Sequence, residues 1–231
     1  LRIAPECGVT TTAWPCATLL AATWNPNVVY QVGAAGGKEV KENNIAAWLT
    51  PALNIHRSPL CGRNFEYYSE DPLLAGVLAG AMVKGIQSQG VAATVKHFAL
   101  NNKETDRKHS DSRVSERAAR EIYLKAFEYV IKGAKPWAVT SSYNIINGCY
   151  ASENKELLED ILRDEWGFDG MVTTDWWTLG EHYKEVKAGN DMKMACGDPK
   201  RLKEAMDQGL LTRQDLEHCA ERVLNLILKL D

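Results

Sequence analysis

Apolar positions along this chain recur at helical spacing in some stretches and gather into short continuous runs in others. Asn27 to Leu49 reads as a helix interrupted by Gly36-Gly37, followed by the apolar run Leu49 to Ile55. Asp71-Pro72 opens a second helix, because proline suits a first-turn position and an aspartate favours the positive helix end. That helix runs to about Gln89, and Gly90 breaks it before the strand-like run Val91 to Val95. A third helix starts near Ser115, a good N-cap, with Glu116 in its first turn and Ala119, Ile122, Ala126 and Val130 on its buried face. Gly133 ends it, and Trp137 to Thr140 is the next strand. Ser152 is expected to cap a helix through Trp166, stopped by Gly167, and Met171 to Thr174 follows as a strand. Thr212-x-x-Asp215 resembles a capping box, ahead of a C-terminal helix whose buried stripe is Leu216, Cys219, Ala220, Val223 and Ile227. Strands alternating with helices of this length predict βαβ units and a parallel sheet.

Polar clusters fall just after each strand: His56-Arg57, Lys96-His97, Ser142-Tyr143-Asn144 and Asp175-Trp176. The carboxyl ends of parallel strands are where such architectures bind ligands, so four strands offer polar groups to one common mouth. Asp175 reads in two ways. It is a charge-stabilising or nucleophilic carboxylate with Trp176 as an apolar platform for a sugar face, or an N-cap for the following helix with the tryptophans in the core. Lys96 and His97 read either as site residues or as a strand-end cation beside a satisfied core histidine. The long polar loop from Asn101 to Arg107 is either functional or a solvated surface segment. Arg63 and Glu66, in Gly-Arg-Asn-Phe-Glu, admit both a carbohydrate-hydroxyl role and a plain ion pair.

Composition narrows the classes. The chain has 231 residues, formal net charge −3, 45% hydrophobic and 25% charged residues, the proportions of an ordinary globular domain. This balance gives no reason to propose nucleic acid or an anionic membrane as partner. The longest apolar stretch, Ala13 to Trp24, is interrupted by Pro15 and is too short to span a bilayer. None of the five histidines has a second ligand at metal-site spacing, and G-x-G-x-x-G, G-K-[ST] and G-x-S-x-G are all absent. No metal and no cofactor is expected. The six cysteines form no C-x-x-C pair and read as small thiols of a reducing, cytoplasmic compartment. A full (β/α)₈ barrel takes about 250 residues, and the pattern starts at Leu1 as though under way, so a segment is expected; the lack of a signal peptide then says nothing about secretion.

Five stretches, in order, resemble the barrel domain of family 3 glycoside hydrolases, the β-glucosidase group. They are LTPALNIHRSPLCGRNFEYYSEDP (49–72), VAATVKHFALNNKETDR (91–107), SERAAREIYLKAFE (115–128), TSSYNIING (140–148) and LRDEWGFDGMVTTDWW (162–177). The resemblance implies a (β/α)₈ TIM-like barrel over residues 1–231, incomplete at its N-terminus. It makes Asp175 the nucleophile of a retaining β-D-glucosidase, with Trp176 as adjoining platform. Lys96 and His97 would bind hydroxyls of the cleaved sugar, and Arg63, Arg107 and Tyr143 would line the same subsite. The cations Lys96, Arg63 and Arg107 would keep nearby carboxylates ionised. Leu1-Arg2 resembles the end of the family's D-G-P-x-G-L-R motif, placing Arg2 near the sugar. The acid/base would be a Glu on a separate α/β sandwich domain that 231 residues leave no room for, so this segment alone is expected to be nearly inactive. Glu66, Glu104, Asp106 and Asp111 are expected in ion-pair roles. The family's N-acetylglucosaminidase branch follows K-H-F with P-G-H-G, whereas here Ala99-Leu100-Asn101 follows, and His109 near Asp106 is only an echo of that branch's Asp/His pair. Expected partners are a β-glucoside or oligosaccharide substrate and the sandwich domain; the oligomeric state stays open. A β-xylosidase or arabinosidase of the same family and a non-catalytic carbohydrate-binding module remain as alternatives.

Overall fold

The computed structural model describes residues 10–230. Helices α1 (Ala17–Ala21) and α2 (Pro26–Glu42) precede strand β1 (Ala47–Trp48); α3 (Pro72–Gln87) leads into β2 (Ala92–Phe98). After β3 (Asp111–Ser112), α4 (Glu116–Ala118) passes through a π-helical turn, Ala119–Tyr123, into α5 (Lys125–Ala134) and then β4 (Ala138–Ser141). Strands β5 (Ile145–Ile146) and β6 (Cys149–Tyr150) precede a π-helical segment, Glu156–Glu165, and β7 (Met171–Thr174). Helices α6 (His182–Lys187), α7 (Pro199–Asp207) and α8 (Arg213–Leu230) complete the described chain.

Strands β1, β2, β4 and β7 lie side by side in that order, every pair parallel. Helices return the chain between them, so the sheet is an open arc of a (β/α)-type barrel. The loops after β2 and β4 supply β3, β5 and β6, a small second sheet on the carboxyl side of the arc. Beyond β7 the chain doubles back alongside it: Asp191 and Met192 donate to the Val172 carbonyl, and Thr174 donates to that of Met192.

Most sequence-level boundaries coincide with side-chain chemistry. The Asp71 carboxylate accepts from Leu73 N, Ser115 Oγ accepts from Ala118 N, and Thr212 and Asp215 exchange backbone and side-chain bonds as a reciprocal cap. Several expectations need correction. Helix α2 runs unbroken through Gly36-Gly37, because both glycines are buried: a Cβ on Gly36 would sit 2.7 Å from the Trp48 ring and one on Gly37 3.0 Å from the Ile86 carbonyl. The run 49–55 pairs with β2 only discontinuously, around Pro51, with a bridge between Ala52 and Lys96. Ile122 is 41% exposed, because the π turn inserts a residue and rotates the buried face onto Leu124 and Phe127. Ser152 donates to Glu185 instead of capping; Asn154 accepts from Leu157 N in its place. On α8, Ala220 and Ile227 face outward, and Leu226 packs with Ala92, Ala138 and Met171.

An ion network ties β7 to its surroundings. Arg163 bonds Asp191 at 2.8 Å and the Gly170 and Gly189 carbonyls, and Arg222 reaches Asp191 at 3.2 Å and Glu159 at 3.1 Å. Asp191 in turn accepts from Val172 N. Among the described residues no helix is long and apolar enough to cross a membrane. The five cysteines in the described range are free thiols, with Cys61 and Cys219 buried and Cys16, Cys149 and Cys196 partly so.

Candidate active site

Strand termini bring the sequence-flagged residues together at one place. Lys96 and His97 lie at the end of β2, Tyr143 follows β4, and Asp175 and Trp176 follow β7. Together with Arg63 and Arg107, all of these line one cavity of about 330 Å³, a size suited to a small ligand. Arg2 lies outside the described residues. His56 and Arg57 do not join the others. The His56 ring donates to the Asn64 and Tyr67 carbonyls, and Arg57 donates to the Tyr123 hydroxyl; both line a different groove.

Asp175 is placed by its backbone, which donates to the Ser141 carbonyl at 3.1 Å on the neighbouring strand. Its Oδ1 accepts from Trp176 N at 2.8 Å. Its Oδ2 is buried, accepts no hydrogen bond from any described residue, and has His97 Nε2 at 3.8 Å. The residue caps no helix, since α6 begins only at His182. A buried carboxylate oxygen without a donor is costly, and the Tyr143 hydroxyl is the cavity group whose hydrogen bonding bears on this carboxylate.

His97 is held from behind. Its backbone N donates to Asn54 Oδ1 and its carbonyl accepts from Asn54 Nδ2, while Nδ1 faces the Tyr67 hydroxyl at 3.5 Å. Burial, followed by the neighbouring Arg63, Lys96 and Arg107 charges, holds the imidazole well below its ordinary range, so it is neutral at pH 7. Lys96 Nζ stands 3.9 Å from Glu66 Oε2, and burial lowers its ammonium despite that partner. Arg63 is ion-paired with the same Glu66. Arg107 donates to Glu104 at 2.9 Å, and its guanidinium lies 4.6 Å from the centre of the Tyr143 ring. Burial pushes the Tyr143 phenol up to about 12, and the Asp175 carboxylate adds to the shift. Tyr143 is aimed inward because Ser142 Oγ and Asn144 Nδ2, on either side, both donate to the Ala99 carbonyl.

The remaining acidic residues flagged from the sequence have partners of their own: Glu66 and Glu104 are ion-paired as above, Asp106 shares a 2.8 Å hydrogen bond with His109 on the surface, and Asp111 is ion-paired with Arg113. Sequence reasoning missed Leu49, Met194 and Trp177 as cavity walls. Met194 is brought there by its backbone bonds to Thr174 Oγ1 and Trp177 N, and no local motif marks it. Trp177 carries only the weak signal of adjoining Trp176.

Chemically, a buried carboxylate is presented beside cations and neutral donors in a concave, polar-lined cavity. The profile of the glycosyl hydrolase family 3 N terminal domain matches residues 6–226. Beta-glucosidase A of Butyrivibrio fibrisolvens is 66% identical over 217 residues, 94% of this chain and 26% of that protein. An exo-alpha-(1->6)-L-arabinopyranosidase of Bifidobacterium longum is 44% identical over 96% of this chain and 29% of its own length. The structure of beta-glucosidase 3B from Thermotoga neapolitana in complex with glucose superposes with a TM-score of 0.92 at 47% identity, covering 94% of this chain and 32% of that one. The chain thus spans between a quarter and a third of these relatives. Its fold, its ordered motifs and this match across nearly its whole length place it in glycoside hydrolase family 3, to which the chain belongs.

Proposed function

We propose that the protein carrying this chain is a retaining glycosidase that releases terminal non-reducing β-D-glucosyl residues, with Asp175 as nucleophile. The observation that supports it is the Asp175 carboxylate itself, one oxygen fixed by Trp176 N–H and the other buried without a donor. Asp175 Oδ2 attacks the anomeric carbon, forming a C–O bond as the bond to the aglycone breaks. The aglycone oxygen takes its proton from an acid/base Glu on a separate α/β sandwich domain. Water then attacks the glycosyl-enzyme, yields its proton to that same Glu, and frees Asp175 and the sugar. Lys96, Arg63 and Arg107 would hold ring hydroxyls and set the sugar at attack distance. His97, being neutral, would exchange hydrogen bonds with a hydroxyl without altering the charge there. Trp176 offers an apolar face to the sugar. The free thiols support a reducing, cytoplasmic setting.

In the full-length protein, Asp175→Asn should lower turnover of an aryl β-D-glucoside by about 10⁴-fold. A 2-deoxy-2-fluoro glucoside should leave a covalent adduct on the peptide containing Asp175. Normal hydrolysis by the mutant would refute the assignment, and sugar binding without an adduct would make the module non-catalytic. The 44% identity to an arabinopyranosidase favours one second reading, a pentopyranoside substrate. Aryl α-L-arabinopyranoside and aryl β-D-xyloside turnover, compared with the glucoside, decides between them.

A further inference from the structure

Glu185 and Lys193 do not line the cavity and take no part in the chemistry just described, yet their charged side chains are 1% and 7% exposed. Taking two charges out of water offsets much of what their attraction returns, so such a pair is better explained by the geometry it fixes than by stability. Lys193 Nζ donates to Glu185 Oε2 at 2.5 Å and to the Gly180 carbonyl at 2.9 Å. Ser152 Oγ, in the turn after β6, donates to the other carboxylate oxygen at 2.9 Å. Asn190 secures the same helix from behind. Its Nδ2 donates to the Glu185 carbonyl at 3.0 Å and the Ser152 carbonyl at 2.6 Å, and its Oδ1 accepts from Ser141 Oγ at 2.7 Å.

These bonds converge on the loop that begins with Asp175. Lys193 stands between Met192 and Met194, and both neighbours grip that loop. The Met192 carbonyl accepts from Thr174 N at 2.9 Å, Met194 N donates to Thr174 Oγ1 at 3.0 Å, and the Met194 carbonyl accepts from Trp177 N at 3.3 Å. The backbone on both sides of Asp175 therefore hangs on residues 192–194, and the Lys193 ammonium holds that segment by its middle. Its second bond, to Gly180, closes the far end of the same loop. The fit there is tight, since a Cβ on Gly180 would lie 2.5 Å from Glu185 Oε1. The cations assigned to the sugar come from elsewhere: Lys96 from β2, Arg63 from the segment before α3, and Arg107 from the loop after β2. We propose that the Lys193–Glu185 pair is a positioning device for the nucleophile, setting the Asp175 carboxylate at attack distance without contributing to sugar binding. This rests on the reading of Asp175 as nucleophile.

The test uses the full-length enzyme, with a 2-deoxy-2-fluoro glucoside to time adduct formation on Asp175 and inhibition by D-glucose to read sugar binding. Lys193→Met/Glu185→Gln removes both buried charges together, while the new amide still accepts from Ser152, so the melting temperature should stay near that of wild type. Adduct formation should slow about 10²-fold, the scale of a 1 Å misplacement, with the glucose inhibition constant held within about twofold. Gly180→Ala disturbs the same anchor without removing a charge, by pushing the Glu185 carboxylate aside. It should slow adduct formation about tenfold, again with glucose inhibition kept, and it carries the test if the double variant does not fold. Adduct formation at the wild-type rate in the folded double variant or in Gly180→Ala would reduce the pair to packing and overturn the proposal. A loss of glucose inhibition that matches the loss of rate would also overturn it, because the whole cavity and not the nucleophile would then have moved. A wild-type enzyme that takes no adduct at Asp175 would overturn the nucleophile reading and this one together.

Discussion

Helices α2 and α3 cross at glycines, and that crossing makes a quantitative prediction. A Cβ added to Gly85 would lie 2.3 Å from the Tyr30 carbonyl oxygen, 2.8 Å from Ala34 N and 3.1 Å from Gly33 C. The shortest of these is about 1 Å inside the 3.4 Å at which ordinary contact begins, and all three are backbone atoms that no rotamer change can move aside. The helices must therefore separate by about that much. A gap of 0.5–1 Å forfeits roughly a quarter to a half of each dispersion contact along the seam, and overpacking of this kind costs about 1–3 kcal/mol or more. Against it stands the gain of about 1 kcal/mol for alanine over glycine inside a helix. Gly85→Ala should then destabilise by about 2 kcal/mol, or roughly 4–8 °C in melting temperature for a domain of this size. Gly133 provides the matched control. It lies in α5 with nothing within 4 Å of where an added Cβ would stand, so Gly133→Ala should stabilise by about 0.5–1 kcal/mol. Urea denaturation of both variants, with hydrogen exchange at α2 and α3 amides to localise the change, reads the two signs. Equal effects from the two substitutions, or a Gly85→Ala variant as stable as wild type, would refute the argument.

Two further outcomes follow from buried charge. Arg163→Met removes the closest charged partner of Asp191, whose side chain is fully buried, and should cost about 3–5 kcal/mol in denaturation; Asp191→Asn in the same background should recover part of it. For His97, burial keeps the folded-state value well below 6.5 while the unfolded chain titrates near about 6.5. The unfolded state therefore binds more protons below that pH. Stability is complete above about 6.5 and is lost as the pH falls toward the folded-state value. Melting temperatures between pH 7.5 and 5 should show this acid-side slope in wild type, and a shallower slope in His97→Gln; equal slopes would remove His97 from the account.

What was legible in the sequence is what local chemistry decides. Asp71, Ser115 and the Thr212/Asp215 pair cap their helices through side-chain bonds spanning three residues or fewer, and β7 begins and ends where its short apolar run does. What was missed depends on partners distant in the chain. Gly36-Gly37 reads locally as a break, and only the Trp48 ring and the α3 backbone make it a packing surface. Ser152 has cap chemistry, but Glu185, 33 residues on, takes its hydroxyl. At the site, Asp175, Lys96 and Tyr143 were marked by their places at strand ends, whereas Met194 is placed by a return segment whose course no spacing rule reveals.

The ion pairs around the cavity also bear on timing. Lys96, Arg63, Arg107 and Lys108 there face the carboxylates of Glu66, Glu104 and Asp175, a surplus of one positive formal charge. On the proposed route Asp175 becomes an ester at the midpoint of the cycle and its negative charge disappears. Four cations then face two carboxylates, and the surplus doubles. A positive surplus lowers the proton affinity of any carboxyl group brought to the cavity mouth, at the stage when that group must stand ionised to act as a base toward water. In the free enzyme the surplus would be halved, and the same group would more readily keep the proton it gives to the next aglycone. The cavity's own charge would thus alternate with the cycle, switching a visiting carboxyl between acid and base without any movement of the protein.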